Sequence, residues 1–376
     1  MLYNNTIKDN DILAETRERN LMSYKILVIN PGSTSTKIGV FEDEKQIFEE
    51  TIRHSAEEIH KYNVIFDQYE FRKDLILEVL EKKGFDLKSL DVVVGRGGAM
   101  KPVEGGTYRV NDAMLYDLEF RPQVQHASNI GASIAVEIAK PLGIPAFIVD
   151  PVVVDELQDV ARISGIPIIE RKTGFHALNQ RAIAKRFARE QGKDYNGLDL
   201  IVVHMGGGVS VGVHKKGRIV DVNHASHEGP FTPERAGELP TEPLAQLCFS
   251  GKYTMNDIRK MLVGKGGMAA YLGTNDVREV EQRAFAGDDK AKLILDAFIY
   301  QVAKEIGKYS VVLCGEVDAI ILTGGVAYSK YITNSLIKMI SFIGPVFLYP
   351  GEDELLALAQ GGLRVLKGEE EAKEYK

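Results

Sequence analysis

The sequence predicts an α/β protein built as two similar lobes that face each other across a cleft. Three observations predict it. An apolar strand that breaks into small polar residues and is followed by two more strands occurs at 25–52 and again at 198–224. Strands ending in paired glycines, "VVVGRGGA" and "AIILTGGVA", then follow in the same order, and two ordered echoes favour an internal duplication over chance. With 376 residues, 44% of them hydrophobic, the chain is long enough to bury two cores.

In chain order, a strand at 25–30 is followed by strands near 36–42 and 45–52, with "FEDEKQIF" supplying the polar turn between the last two. Helical spacing of apolar residues covers 56–83, and "LDVVVGRGGAM" reads as a buried strand running into glycines. Residues 126–140 form a helix, "IPAFIVDPVVVDE" a strand ending in acid and proline, and 175–191 a long helix. The second strand-loop-strand unit then opens with "LDLIVVHMGGGVSVGVHKKGRIVDVNH". The expected divisions are an extension over 1–22, a first lobe over 23–152 to which a C-terminal helix (356–376) returns, and a second lobe over 153–355.

Composition narrows the partners. A formal net charge of -7 argues against a nucleic-acid backbone, and no apolar run is long enough to span a bilayer. Cys248 and Cys314 lie far apart without paired spacing, so neither a disulfide framework nor a zinc site is expected, which fits the cytoplasm. The opening "MLYNNTIKDNDILAETRERNL" lacks the apolar centre of a signal peptide. It reads as a flexible extension, or as the product of a start codon placed too far upstream.

The loops at strand ends carry the chemistry. In "NPGSTSTK", Gly32 permits a tight turn, the hydroxyls and amides supply donors, and Lys37 adds a point charge suited to phosphate. The spacing is not that of a Walker loop, and a strand rather than a helix follows. "HMGGGVS" offers consecutive glycine amides to phosphate oxygens, and "LTGGVAYS" allows a base or ribose to lie against the backbone. Any one of these is a common hairpin, but three at strand ends of a two-lobed protein point to a nucleotide. "NHASHEGP" places His224 and His227 three apart, yet no further ligand supports a metal there.

The motifs "VINPGSTSTK", "QHASNIG", "FIVDPVVVDE", "GFHALNQ", "VVHMGGGVS", "GPFTPERAG", "YLGTNDVRE" and "LTGGVA" resemble those of the butyrate kinases. These form part of the acetate kinase group within the actin, sugar-kinase and heat-shock ATPase superfamily. The resemblance runs from residue 25 to about 360. It implies a duplicated two-lobed actin-like ATPase fold with ribonuclease H-like domains and an interdomain cleft. It also implies ATP, ADP and Mg2+ as cofactors, a short-chain carboxylate as substrate, and a homodimer or larger assembly. The implied reaction is reversible in-line transfer of phosphoryl from ATP to butyrate, giving butanoyl phosphate. Isobutyrate, acetate or propionate are alternative acceptors, and an actin-like ATP-binding protein without this activity is the alternative of another class.

The resemblance also implies roles. Arg96 meets the carboxylate, Arg235 is the second arginine of the site, and His176 hydrogen-bonds the transferring phosphoryl group. His126 and His204 lie near the phosphate path, and Phe175 near the acyl chain. Asn30, Asp150 and Glu354 are the magnesium candidates, Glu354 in a segment that aligns in more than one register. Ser33, Ser35 and Lys37 face phosphate. Gly206, Gly207, Gly208, Gly324 and Gly325 surround the nucleotide, with Asp276 and Arg278 on its adenosine side. Gly207 stands where acetate kinases carry asparagine. A carboxylate is already ionised near neutrality and needs no general base, so cations gathered from both lobes would carry the catalysis. Gly97 and Gly98 replace valines of the acetate kinases and are expected to widen the acyl pocket, favouring butyrate or a branched acid.

Overall fold

The computed structural model describes residues 23–376; the expected extension over 1–22 lies outside the described residues. The chain divides into two units. One comprises residues 23–101, 106–151 and 354–376, the other residues 102–105 and 152–353.

In the first unit, strands β1 (Lys25–Pro31), β2 (Ser35–Glu42) and β3 (Lys45–Arg53) pair antiparallel in succession. Strand β4 (Val92–Arg96) joins β1 in parallel, and β6 (Ala146–Val149) joins β4 in parallel. The short β5 (Thr107–Arg109) pairs antiparallel with β6, and the strand Lys373–Glu374 closes that edge. Ile26, Leu27, Val28 and Ile29 are each 0% exposed, so β1 is a continuous apolar run because both faces of the sheet are covered. Helix α1 (Tyr69–Lys82) and helix α2 (Gly131–Ala139) pack on each other, and α2 on β4 and β6. The C-terminal helix Glu354–Leu366 lies on β1, β4 and β6.

The second unit repeats the plan. Strands β7 (Asp199–Met205), β8 (Val209–Lys215) and β9 (Arg218–Val222) pair antiparallel, while β10 (Ala319–Gly324) and β11 (Val346–Pro350) extend the sheet in parallel from β7. The order β11-β10-β7-β8-β9 matches β6-β4-β1-β2-β3 of the first unit, including a register shift between the second and third strands at Val40/Phe41 and at Val213/His214. Helix α3 (Ala177–Glu190) buries Ala184, Phe187 and Ala188 against Leu200, Val202 and Ile321. The long helix α4 (Asp289–Ser310) buries Phe298, Val302 and Ile306 with Val211, Val213 and Leu322. These alternate strand residues point to opposite faces, as the pleat requires.

The helical pattern read over 56–83 is interrupted. A single turn, Ala56–Ile59, is started by a Ser55–Glu58 capping box but buries no residue, so packing gives it nothing to propagate on. The persistent helix begins only at Tyr69, where Arg72, Ile76 and Leu80 provide a buried face. Residues 126–140 likewise begin as a 3-10 turn (Ala127–Ile130) before α2.

Candidate active site

In the first unit, the carboxyl ends of three parallel strands lie side by side, Ile29 opposite Gly95 and Arg96 opposite Val149. This register places Asn30, Arg96 and Asp150 along one edge of the sheet. Arg96 Nη1 lies 2.5 Å from Glu354 Oε2 and donates to Asn30 Oδ1 at 3.2 Å. The Asn30 amide donates to the same Glu354 oxygen at 2.7 Å. Glu354 opens the C-terminal helix. Asp150 is buried, with a φ of 38° rare for a non-glycine residue. Its N–H donates to Gly106 O at 3.0 Å, and its Oδ1 accepts from Gly106 N at 2.7 Å. This two-point bond holds the strained backbone.

The loop between β1 and β2 is organised from below. Arg72 on α1 is 1% exposed, and among the described residues no carboxylate bonds to it. Its Nη1 donates to the carbonyls of Gly32 (2.7 Å) and Ser35 (3.2 Å), and its Nη2 to that of Ser33 (3.3 Å) and to Gln68 Oε1 (2.8 Å). Burial lowers the Arg72 pKa to about 10, which still leaves it charged at neutrality. Ser33 is exposed and Ser35 half-buried. Lys37 lies two residues further along β2, where its ammonium pairs with Glu49 of β3 at 3.2 Å, sharing the charge expected for phosphate with a carboxylate. His126 caps the turn before α2, its Nδ1 accepting from Ser128 N at 3.2 Å. Lost hydration and then the Arg96 charge lower its pKa.

The space beside Gly97 and Gly98 is already filled. A Cβ on Gly97 would lie 2.6 Å from Pro151 Cβ, and one on Gly98 2.6 Å from Asn129 Cα and 2.8 Å from Leu118 Cδ2. The glycines admit neighbouring protein atoms, so their missing side chains do not widen an acyl pocket as the sequence suggested. Phe175, expected beside the acyl chain, is buried among Val154, Leu157, Ile219 and Val222.

In the second unit, His204 precedes the turn Gly206–Gly208, which Gly206 N closes onto Gly208 O at 2.9 Å. The His204 and His176 rings stack with centroids 3.8 Å apart and planes 15° from parallel. His176 Nδ1 is 2.9 Å from Ser210 Oγ, and His204 Nδ1 is 2.8 Å from Asn179 Oδ1. Arg235 follows a turn in which Thr232 Oγ1 donates to Gly207 O at 2.7 Å. Its Nη1 donates to Ala225 O at 2.9 Å, whereas its buried Nε has no hydrogen-bond partner among the described residues. Burial lowers the Arg235 pKa.

A cavity of about 1200 Å³ lies beside this turn, lined by Gly206, Gly207, Asp276, Arg278, Phe285, Gly325 and Tyr328 among others. Asp276 caps the helix Val277–Phe285, accepting from Arg278 N at 2.9 Å, and Arg278 Nη2 returns to Asp276 Oδ2 at 2.9 Å. Gly324 ends β10 with φ 86° and exchanges backbone hydrogen bonds with Gly351, and a Cβ on Gly325 would meet nothing within 4 Å. His224 and His227 stack at 3.8 Å, and burial takes the His224 pKa down to about 4. Among the described residues no group of three or more His, Cys, Asp or Glu side chains gathers to hold a metal.

Sequence reasoning passed over Arg72, Gln180 and Ser210. Arg72 sits in "EFRKDL", where a basic residue reads as solvent-facing, and only tertiary packing buries it.

Comparison with known proteins places the chain. The model of the acetokinase family matches residues 164–357. Butyrate kinase 1 of Clostridium acetobutylicum is 60% identical over 354 residues, covering 94% of this chain and 100% of that protein. The chain belongs to the acetokinase family. A probable butyrate kinase of Clostridium botulinum (strain Alaska E43 / Type E3) is 58% identical, again over 94% of this chain and 100% of the relative. Among solved structures, Porphyromonas gingivalis acetate kinase superposes with a TM-score of 0.75 at 19% identity, covering 91% of this chain and 100% of its own. A propionate kinase from Francisella tularensis gives 0.71 at 18% identity, covering 90% and 98%. The duplicated α/β fold expected from the sequence is therefore the fold of this chain, shared with the acetate and propionate kinases. None of its described helices is long and apolar enough to cross a membrane.

Proposed function

We propose that this protein is an ATP-dependent butyrate kinase. The observation that carries the reading is the 60% identity, over the full length of the relative, to a butyrate kinase. A carboxylate oxygen of butyrate attacks the γ-phosphorus of ATP, the bond to the β,γ-bridging oxygen breaks, and ADP leaves. The products are butanoyl phosphate and ADP, and the transfer is reversible.

Each unit supplies its own set of groups. In the second, the Gly206–Gly208 turn offers amides to the phosphates, and the cavity bounded by Asp276, Arg278 and Gly325 takes the adenosine. His176 and Arg235 donate to the equatorial phosphoryl oxygens, where charge develops in the transition state. In the first, Arg96 holds the acid's carboxylate, while Ser33 and Ser35 offer donors to phosphate because Arg72 turns the loop carbonyls inward.

Magnesium fits the oxygen donors of Asn30, Asp150 and Glu354, since this ion takes few protein oxygens and keeps several waters. When bound it would neutralise charge on the nucleotide phosphates. The protein works in the cytoplasm, where its two free cysteines suit a reducing compartment, and as a homodimer or larger assembly.

The test is acyl phosphate trapped as hydroxamate, with ATP and magnesium, across acetate, propionate, butyrate and isobutyrate. Butyrate is expected to give the highest kcat/KM. Best turnover on acetate, or ATP hydrolysis indifferent to any acid, would overturn the assignment.

A further inference from the structure

His176 is the outermost member of a chain of buried polar groups confined to the second unit. Its Nδ1 lies 2.9 Å from Ser210 Oγ. Gln180 Nε2 lies 2.9 Å from the same hydroxyl and 3.0 Å from the Ser210 carbonyl. Gln180 Oε1 lies 3.2 Å from His214 Nε2, and His214 Nδ1 lies 2.9 Å from Tyr195 Oη. Ser210, Gln180 and His214 are each 0% exposed, so bulk water cannot rescue a mismatched hydrogen.

The direction of every bond follows from one fixed acceptor. A backbone carbonyl can only accept, so the Gln180 atom beside Ser210 O is the amide nitrogen, and its other hydrogen points to Ser210 Oγ. The remaining Gln180 atom is a carbonyl oxygen, which accepts from His214 Nε2–H and leaves His214 Nδ1 to accept from Tyr195 O–H. Burial holds His214 neutral, its pKa well below the usual value, which agrees with one hydrogen on that ring. Ser210 Oγ already accepts from Gln180, and its own hydrogen has one acceptor among the described residues, His176 Nδ1. Were Nδ1 to carry a hydrogen, two donors would meet at the serine and its O–H would be stranded in the interior.

We propose that Gln180 and Ser210 are positioning residues that fix the tautomer of His176, keeping Nδ1 bare and the hydrogen on Nε2. The inference rests on the reading of His176 as a donor to the transferring phosphoryl group. For that task a neutral imidazole must carry its hydrogen on the outer nitrogen, and the hydrogen bond at the inner nitrogen decides which one does. The stacked His204 ring holds the plane in which that donor lies. Packing leaves the relay little freedom, because a Cβ on Gly212 would lie 2.1 Å from Gln180 Oε1.

The test is the 1H–15N long-range spectrum of the full-length protein labelled in its histidine rings, with His176→Asn identifying the signals. A fully unprotonated Nδ1 and fully protonated Nε2 are expected near neutral pH, without the averaging of a free imidazole. In Ser210→Ala and Gln180→Met the two nitrogen shifts move toward each other, and kcat falls about threefold to tenfold with KM for ATP and butyrate little changed. A protonated Nδ1 in the unaltered protein overturns the proposal, and so do shifts that stay put in a folded Ser210→Ala or Gln180→Met. Should both variants fail to fold, the spectrum of the unaltered protein decides, a bare Nδ1 with a protonated Nε2 supporting the proposal and a protonated Nδ1 or averaged shifts overturning it. The tautomer is read without turnover, so a failed hydroxamate assay would strike the kinase reading and leave this measurement standing.

Discussion

The Arg235 guanidinium rests directly on the backbone of Gly208, so closely that a Cβ there would lie 2.4 Å from Nη1 and 2.8 Å from Cζ. Three glycines in a row look interchangeable in sequence, yet a Cβ on Gly207 would approach nothing nearer than 3.5 Å. The φ of Gly208 is not in the left-handed region, so alanine fits the backbone and strikes only the arginine. Gly208→Ala is therefore expected to lower kcat by about 10²-fold, close to the loss from Arg235→Ala, with little change in Tm. Gly207→Ala is the comparison. Equal activity in the two alanine variants would remove the Gly208–Arg235 contact from the account.

Arg72 holds the loop between β1 and β2 by donating to three of its carbonyls from within. Without the guanidinium these partly buried acceptors lose their partner. Arg72→Met is expected to cost about 2–4 kcal/mol in urea unfolding and to raise KM for ATP more than KM for butyrate. Arg72→Lys retains a charge but not the planar fork, and is expected to fall between the two. Unchanged ATP affinity in a folded Arg72→Met would separate this clamp from nucleotide binding.

The strand-loop-strand repeats were legible in sequence because their signals are local: apolar runs, then glycine and hydroxyl residues where backbone must turn. The edge formed by Asn30, Arg96 and Asp150 was legible for the same reason, since each residue ends a strand. What was not legible is burial decided by distant chain. Arg72 on α1 and Gln180 on α3 occupy ordinary helical positions and become interior only when their helices dock. The glycines after Arg96 misled for a related reason. Sequence reveals that a side chain is missing, but not which atoms take the space.

Gly98 turns that lesson into a measurement. Its hydrogen faces Asn129, whose Oδ1 accepts from Ala99 N at 2.9 Å. A methyl there must displace both Asn129 and Leu118, an overpacking expected to cost about 1–3 kcal/mol. Gly98→Ala should lower Tm while leaving the ratio of kcat/KM for butyrate and acetate unchanged. A selective loss of butyrate turnover would restore Gly98 to the acyl pocket.

Acid should weaken the fold through two histidines. The His54 pKa is lowered to about 4, chiefly by burial and then by the Arg72 charge, and that of His224 to about 4 by burial and then His227. Below the ordinary value near 6.5 the unfolded chain takes up protons that these folded sites refuse, down to about pH 4. Stability is therefore full above that window and falls as pH drops through it, by at most about 1.4 kcal/mol per pH unit for each histidine. Urea unfolding between pH 7 and 5 checks this. His54→Gln, which keeps a donor toward Thr36, should flatten the slope, and parallel curves would exclude His54 as a source.

One Glu354 oxygen receives both the Arg96 guanidinium and the Asn30 amide. The carboxylate can therefore serve as a metal ligand, as a tether for Arg96, or as both, and Glu354→Gln tells these apart. The variant keeps a carbonyl oxygen, so Asn30 retains an acceptor, but it loses the charge that attracts either cation. If Glu354 helps to hold magnesium, the concentration giving half-maximal activity at fixed ATP should rise about tenfold, since one charged ligand of few is lost. If it only tethers Arg96, that concentration stays fixed and KM for butyrate rises instead, as the released guanidinium loses its orientation. Titrating magnesium and butyrate separately on the one variant distinguishes the two. The ligand role predicts that the first curve moves, and an unmoved magnesium curve would remove Glu354 from the metal set.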